Sequence, residues 1–315
     1  MTGLVTLGET LGLVTAAPGP LAQAATASLG VGGAESNVAI GVRRLGGEAT
    51  WVGRLGADSF GARVRRELLA EGLHVLAVTD PHAPTALMVK ERRTAEAGRV
   101  WYYRAGSAGS RLAPQDVPAE LVRGADVLHL TGITAGLSAS ALATVRHALA
   151  AAVEAGVPVS FDVNHRAAVW SAADPGPVYA ELAAASAVVF AGPEEARLLT
   201  GAPVEDPHRL LDLVAEQTGG DVVLKLGADG CLARVDDELI EVAAVPVPVV
   251  DTVGAGDAFV AGYLADLMLG RPARERLATA ARAGAVACTS SGDWEGLPTR
   301  VELATLLSDG ERILR

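Results

Sequence analysis

Short β-rich runs alternate with longer helical patterns through the middle and the end of the chain. DVLHLTG (126–132) precedes a helical pattern near 138–155, and PVSFDVN (158–164) precedes another near 176–185. AVVFAG, followed by EEARLLTG, and then DVVLKLG continue the alternation. This order favours an α/β fold with a mostly parallel central sheet and helices on both faces. Because ligands bind at the carboxyl ends of the strands in such sheets, the loops after these four strands are expected to converge on one site.

Two segments depart from this alternation, residues 11–33 and 85–106. Each contains two β-rich runs and is typical of a hairpin, and in the second the polar turn TAEA (94–97) joins the runs. The prediction is that the two hairpins pair into a small sheet that projects from the main body and serves as a lid.

The bulk properties narrow the function classes. The 315 residues are half hydrophobic, with a mean hydropathy of +0.31 and a net charge of −11. This composition supports a large core, and the length allows one large domain or two ordinary ones. The acidic balance argues against nucleic acid or an anionic membrane as the main partner. A cytoplasmic location is expected, since neither an export signal nor an apolar run of ~18 residues is found.

Rare residue types add little at this point. Cys231 and Cys288 are the only cysteines, each in an apolar stretch, and buried reduced thiols are expected. Lys90 and Lys225 are the only lysines among 26 basic residues. Codon bias towards arginine is the interpretation of that scarcity.

A glycine-rich turn, Gly254-Ala255-Gly256, opens a predicted helix in DTVGAGDAFVAGYLADL (251–267). Apolar residues recur at helical spacing, which predicts one buried stripe. The free N–H groups and the dipole of such a helix start attract an anion. Asp257 at this point is either a cap of an ordinary turn or a carboxylate with a chemical role. Neither a dinucleotide fingerprint nor a Walker loop fits the spacing.

A second glycine-rich stretch, GGAESNVAIGVRRLGGEATWVGRLGADSFG (32–61), also opens a helix. Together with DTVGAGDAFVAG, it closely resembles the two signatures of the ribokinase-like, PfkB-type sugar kinases. The resemblance covers essentially the whole chain, including KLGADG at 225–230. It implies a single kinase domain over 1–315, a three-layer α/β/α core, and a lid formed by about 11–33 and 85–106.

The resemblance implies phosphoryl transfer from ATP to a sugar hydroxyl. In the family, the aspartate that matches Asp257 is the general base, and the backbone N–H groups that match Gly254, Ala255 and Gly256 form the anion hole. Phosphoryl transfer requires mainly positioning and charge stabilisation. The aspartate would therefore act on the oxygen of the attacking hydroxyl, and the N–H groups on the oxygens of the phosphoryl group. The helix terminus is also expected to favour the ionised form of Asp257.

The nucleotide site also follows from the resemblance. Lys225, Gly227 and Gly230 fall in the ATP-binding region of the family, and an adenine pocket is expected between this loop and residues 280–288. The alternative for LKLGADG is simply a strand followed by a tight turn.

Two ions are implied as well. Glu195 matches a glutamate that acts on magnesium through water, although Gly192 stands where the family often has asparagine. Asp251 and Thr252 match positions that serve a monovalent cation or a phosphate in some relatives, or else cap the turn.

Two arginines favour a sugar acid over a neutral sugar, since arginine binds a carboxylate bidentately. Arg104 ends the second lid hairpin and Arg166 follows a core strand, so the two are expected to meet over one pocket. Their surroundings are similar to the 2-keto-3-deoxygluconate kinase branch of the family. The positions that match substrate contacts there are Gly33, Asn37, Tyr102, Arg104, Arg166 and Asp293. Met88 replaces a tyrosine frequent in that branch and cannot donate its hydrogen bond.

Two other functions stay open. One is a kinase for a neutral sugar of the fructokinase or ribokinase type, against which Arg104 and Arg166 argue. The other is a non-catalytic sugar-binding protein, against which the intact GAGD argues. The resemblance also implies a homodimer that pairs through the lid.

Overall fold

The computed structural model describes residues 3–92, 98–170 and 174–305. The strands are β1 (Leu4–Leu7), β2 (Leu11–Ala16), β3 (Ala27–Gly32), β4 (Ala49–Gly56), β5 (His74–Asp80), β6 (Leu87–Arg92), β7 (Gly98–Tyr103), β8 (Val127–Thr131), β9 (Val159–Asp162), β10 (Val188–Ala191), β11 (Asp221–Lys225), β12 (Cys231–Val235) and β13 (Glu238–Val242). The helices are α1 (Ala34–Arg44), α2 (Ser59–Ala70), α3 (Ala119–Arg123), α4 (Gly132–Leu137), α5 (Ala139–Ala155), α6 (Gly176–Ala184), α7 (Pro193–Thr200), α8 (Pro207–Gln217), α9 (Ala255–Met268), α10 (Ala273–Ala287) and α11 (Arg300–Thr305).

Nine strands form the main sheet in the order β13-β12-β11-β10-β9-β8-β1-β4-β5. All neighbours pair in parallel except β12 and β13, which form an antiparallel edge. The four predicted core strands are β8 to β11, and they lie side by side in chain order. The predicted α/β class with a mostly parallel sheet is confirmed.

Helices cover both faces of the main sheet because successive strand residues point to opposite sides. On β10, Phe190 packs into a core with α1, α9 and α10, whereas Val189 packs into a second core with α5, α6 and α8. Both side chains are fully buried. The result is the three-layer arrangement that the resemblance implied.

The two segments that interrupt the alternation, residues 11–33 and 85–106, form a separate small sheet in the order β3-β2-β6-β7. Each hairpin is antiparallel, and β2 pairs in parallel with β6 to join them. The prediction that the hairpins pair is therefore confirmed. The turn expected at 94–97 lies outside the described residues.

Helix α9 is more deeply buried than its sequence pattern predicts. All residues from Ala258 to Asp266 are buried, rather than a single stripe. The reason is tertiary: α1 and α10 pack against α9 on different sides, and the sheet lies beneath it. The expectation of one apolar face was wrong because small residues such as Ala261 and Gly262 admit neighbouring helices closely. None of the described helices combines the length and apolar character that crossing a membrane requires.

Candidate active site

A cavity of about 1010 Å³ lies at the carboxyl edge of the main sheet, beside the small sheet. The loops after β9, β10 and β11 reach it, together with the starts of α1 and α9 and the inner positions of β6 and β7. Ile133, in the segment that follows β8, also lines the cavity. The expected convergence of the strand ends is thus observed.

The glycine turn places free backbone donors at the cavity. Gly254 has a φ of 76°, a left-handed conformation, and begins α9 as its N-cap. The N–H of Ala255 donates to the Thr252 carbonyl at 3.3 Å. In the described part of the chain, the N–H groups of Gly254, Gly256 and Asp257 have no acceptor. Free N–H donors at the N-terminus of a helix form an anion site.

Asp257 lies in the first turn of α9 and faces the cavity. Its Oδ2 accepts from Asn37 Nδ2 at 2.7 Å, and its Oδ1 accepts from Asn164 Nδ2 at 3.4 Å. Burial raises the pKa of Asp257 to about 7, and nearby Asp162 adds to the rise, against the hydrogen bond from Asn37. Loss of hydration is thus the largest effect on this carboxyl, and it opposes the ionised form that the helix start is expected to favour.

Lys225 ends β11 and lines the same cavity. Its Nζ donates to both carboxylate oxygens of Asp162 at 2.7 Å. Burial lowers the pKa of Lys225, but the carboxylates of Asp162, Glu195 and Asp257 outweigh burial and the pKa is raised. Lys225 is therefore a permanent cation between β11 and the turn. Asp162 was not identified from the sequence, since its only local signal is the end of a strand.

The two predicted arginines both line the cavity but differ in their partners. Arg104 donates to Glu9 Oε2 from Nε at 2.8 Å, and its Cζ lies 5.2 Å from the centre of the Tyr102 ring. Glu9 is 2% exposed and also accepts from Ser107 Oγ. Arg166 is exposed, and no carboxylate of the described residues pairs with it. Arg166 is thus the cavity cation that is available to an anionic ligand.

Asp293 and Gly33 also reach the cavity as predicted. Asp293 is buried and accepts a hydrogen bond from the Nζ of Lys90 on β6. Burial raises the pKa of Asp293, and Lys90 opposes the rise. The two lysines of the chain therefore line one cavity, which codon bias does not explain. Their scarcity among many arginines was the signal for Lys90 that the sequence interpretation missed.

A second cavity of about 540 Å³ adjoins the first and shares Lys225, Gly256 and Thr252 with it. The loop after β11 and the end of α10 line it, with an apolar strip from the segment after β13. The lining residues include Gly227, Gly230, Val245, Val247, Ala285 and Cys288. It occupies the position expected for an adenine pocket, between 225–230 and 280–288.

Glu195 is held rigidly at the first cavity. Its Oε2 accepts from the Gly192 N–H at 2.7 Å, and its Oε1 accepts from the His165 N–H at 2.8 Å. The described residues contain no group of three or more metal-binding side chains. A single carboxylate is compatible with magnesium where water and phosphate oxygens supply the other ligands.

Comparison with known proteins identifies the family. The model of the pfkB family carbohydrate kinases matches residues 1–300. The chain therefore belongs to the pfkB family and is an ATP-dependent carbohydrate kinase.

Individual relatives agree with this assignment. The chain is 37% identical over 314 residues to the 2-dehydro-3-deoxygluconokinase of Thermoproteus tenax, covering 98% of this chain and 94% of the relative. It is 34% identical over 310 residues to the 2-dehydro-3-deoxygluconokinase of Bacillus subtilis, and the match covers 96% of this chain and 95% of the relative. The fold is shared with a putative ribokinase II from E. coli that was solved in complex with ATP and Mg²⁺. The TM-score is 0.89 at 24% identity, and the match covers 97% of this chain and 98% of that one.

Proposed function

We propose that this enzyme transfers the γ-phosphate of ATP to the primary hydroxyl of a sugar acid. The preferred substrate is 2-keto-3-deoxygluconate (2-dehydro-3-deoxygluconate), and the product is its 6-phosphate. The observation that carries this proposal is Arg166, which lines the cavity that also contains Asp257 and has no carboxylate partner among the described residues. A guanidinium in this position suits a carboxylate. The names of the two relatives support the same substrate class.

We assign Asp257 as the general base that takes the proton from the attacking hydroxyl of the sugar. With a pKa of about 7, it is partly ionised at neutral pH and can accept a proton. The free N–H groups of Gly254, Gly256 and Asp257 are assigned to the transferring phosphoryl group, with Lys225 as an adjacent cation. Hydroxyl and phosphoryl group then meet at one helix start, which is the positioning that this reaction requires.

The adjoining 540 Å³ cavity is assigned to the adenine ring of ATP, since its walls are largely apolar and it opens beside Lys225. We assign Glu195 to hold magnesium through a bridging water molecule. When bound, the ion would neutralise phosphate charge. A monovalent cation near Asp251 and Thr252 stays a prediction.

The small sheet is assigned as a lid over the sugar. Met88 and Lys90 of β6 and Tyr102 of β7 line the cavity from this sheet. Closure would exclude water from the γ-phosphate. A dimer that pairs through the small sheet likewise stays a prediction.

A neutral sugar is the second candidate substrate. The observation that favours it is the Glu9–Arg104 ion pair, which leaves Arg104 without excess charge for a ligand carboxylate. In that case Arg166 would contact phosphate or solvent rather than sugar.

One experiment separates these candidates. ATP consumption is measured with 2-keto-3-deoxy sugar acids and with neutral sugars, for the wild type, Arg166→Ala and Asp257→Asn. The proposal expects activity only on sugar acids, a large rise in KM for Arg166→Ala, and almost no turnover for Asp257→Asn. Activity on fructose or ribose that Arg166→Ala leaves unchanged would establish the neutral-sugar function. Wild-type turnover by Asp257→Asn would show that Asp257 is not the general base.

A further inference from the structure

We infer that Asn164 is a positioning residue that holds the carboxylate of Asp257 in its reactive orientation and favours its anionic form. The inference rests on the proposed function, in which Asp257 is the general base. Asn164 follows β9, is 5% exposed and lines the large cavity.

The backbone at Asn164 is unusual. Its φ is 36°, whereas the other described non-glycine residues with positive φ are Asp236 and Asp237, in the turn between β12 and β13. Tight hairpin turns commonly require this conformation, but the end of a parallel strand does not. Asparagine adopts the left-handed region more readily than most side chains, and such conformations cluster at functional sites. Here the conformation delivers the side-chain amide to Asp257.

The two oxygens of Asp257 have separate amide donors. Asn37, on α1, donates to Oδ2 at 2.7 Å, and Asn164 donates to Oδ1 at 3.4 Å. Both donors come from elements other than α9, so together they fix the rotation of the carboxylate. Each oxygen keeps a lone pair for the cavity, where the hydroxyl of a substrate would lie.

The amides matter because the charges around Asp257 oppose one another. Asp162 raises the pKa of Asp257, while Lys225 and Arg166 lower it. The remaining acids on the cavity wall are Glu9, Glu35, Glu194, Glu195 and Asp293, and the remaining bases are Lys90, Arg104, His165 and Arg197. A neutral N–H donor favours the anion without adding charge, so loss of the Asn164 amide is expected to raise the pKa of the base.

Two variants test the inference through the pH dependence of kcat. Asn164→Gly keeps the left-handed backbone without strain but removes the amide. Asn164→Asp keeps the side-chain shape but replaces a donor with an acidic acceptor, and it serves if the glycine variant does not fold. The acidic limb of the profile is expected to move upward by about half to one pH unit in Asn164→Gly, and further in Asn164→Asp. The KM for ATP should stay within about twofold of the wild type, and turnover should recover towards high pH.

The result that would overturn the inference is an acidic limb at the wild-type position in both variants. A pH-independent loss with a raised KM for sugar or ATP would also overturn it, because it would make Asn164 a ligand contact. Asp257→Asn is the control for the underlying function. If that variant is inactive while the Asn164 profile is unshifted, only the positioning role fails. If it keeps wild-type turnover, the general base fails, and the Asn164 role fails with it.

Discussion

Lys90 on β6 forms an ion pair with Asp293, which lies in the segment between α10 and α11. The pair joins the small sheet to the main body across 203 residues of chain. Both side chains are largely buried, and both line the large cavity. The contact therefore couples the position of the small sheet to the charge of an acid in the proposed sugar site.

Lys90→Met is expected to weaken sugar binding more than ATP binding. Without the lysine, the buried carboxyl of Asp293 lacks its cation, and its pKa rises further. A protonated Asp293 is a poorer acceptor for a sugar hydroxyl. The expected result is a rise of about tenfold or more in the KM for sugar, where each tenfold corresponds to ~1.4 kcal/mol. Steady-state kinetics with each substrate varied in turn provide the measurement.

Lys90→Arg is the matched control for that variant, since it keeps the charge in a longer side chain. It should retain most of the affinity for sugar. Equal losses in Lys90→Arg and Lys90→Met would indicate a role of shape rather than of charge.

Two glycines in the same turn are expected to respond differently to alanine. A Cβ at Gly256 would meet only Lys225 Nζ, at 3.9 Å, so Gly256→Ala should fold with unchanged or slightly raised stability. The added methyl group would occupy the anion site, and turnover should fall at least tenfold. A Cβ at Gly254 would lie 2.0 Å from the Asp293 carbonyl oxygen in a backbone of positive φ. Gly254→Ala should therefore lower the melting temperature.

Thermal unfolding and turnover measured on both alanine variants decide this prediction. Wild-type turnover in Gly256→Ala would show that no anion approaches the turn from that side.

Arg104 is expected to have a structural role as well as a role in binding. Arg104→Met leaves Glu9 buried without its cation, a change that costs about 3–5 kcal/mol of folding free energy in comparable buried pairs. The double variant Glu9→Gln with Arg104→Met should recover most of this stability, because no isolated charge remains. If Arg104 also contacts the sugar acid, the double variant keeps a raised KM for sugar. Denaturant unfolding and kinetics of the single and double variants separate the two effects.

The stability of the fold is expected to depend on pH through Asp257. Its pKa is about 7 in the folded chain, against an ordinary value of 3.8, so the folded state binds more protons between these values. The stability associated with the protonated form is complete below about pH 4 and is lost as the pH rises through about 7. Asp257→Asn removes this dependence. Its advantage in melting temperature over the wild type should be larger at pH 8 than at pH 5, and a constant difference would contradict the raised pKa.

Much of this architecture could be predicted from the sequence because its causes are local. The alternation of β-rich and helical patterns predicted β8 to β11 in order, and the topology of parallel sheets brought their loops to one edge. Gly254 and Gly256 indicated an anion site because a glycine-rich turn ahead of a helix lets a ligand approach the free backbone N–H groups closely. Asp257 could be assigned a role only through the resemblance, since an isolated aspartate at that position is equally a cap.

The tertiary structure decided which partners the site residues have. Asn37 contacts Asp257 across 220 residues, Arg104 pairs with Glu9 across 95, and Lys225 pairs with Asp162 across 63. No periodicity in the chain encodes these pairs, because charges and amides select partners by distance and burial after the sheet has formed. The same burial raised the pKa of Asp257, and the pairing of the two sheets brought Lys90 into the cavity. The sequence by itself determined which groups are present at the strand ends, and their packing determined the charge that each one carries.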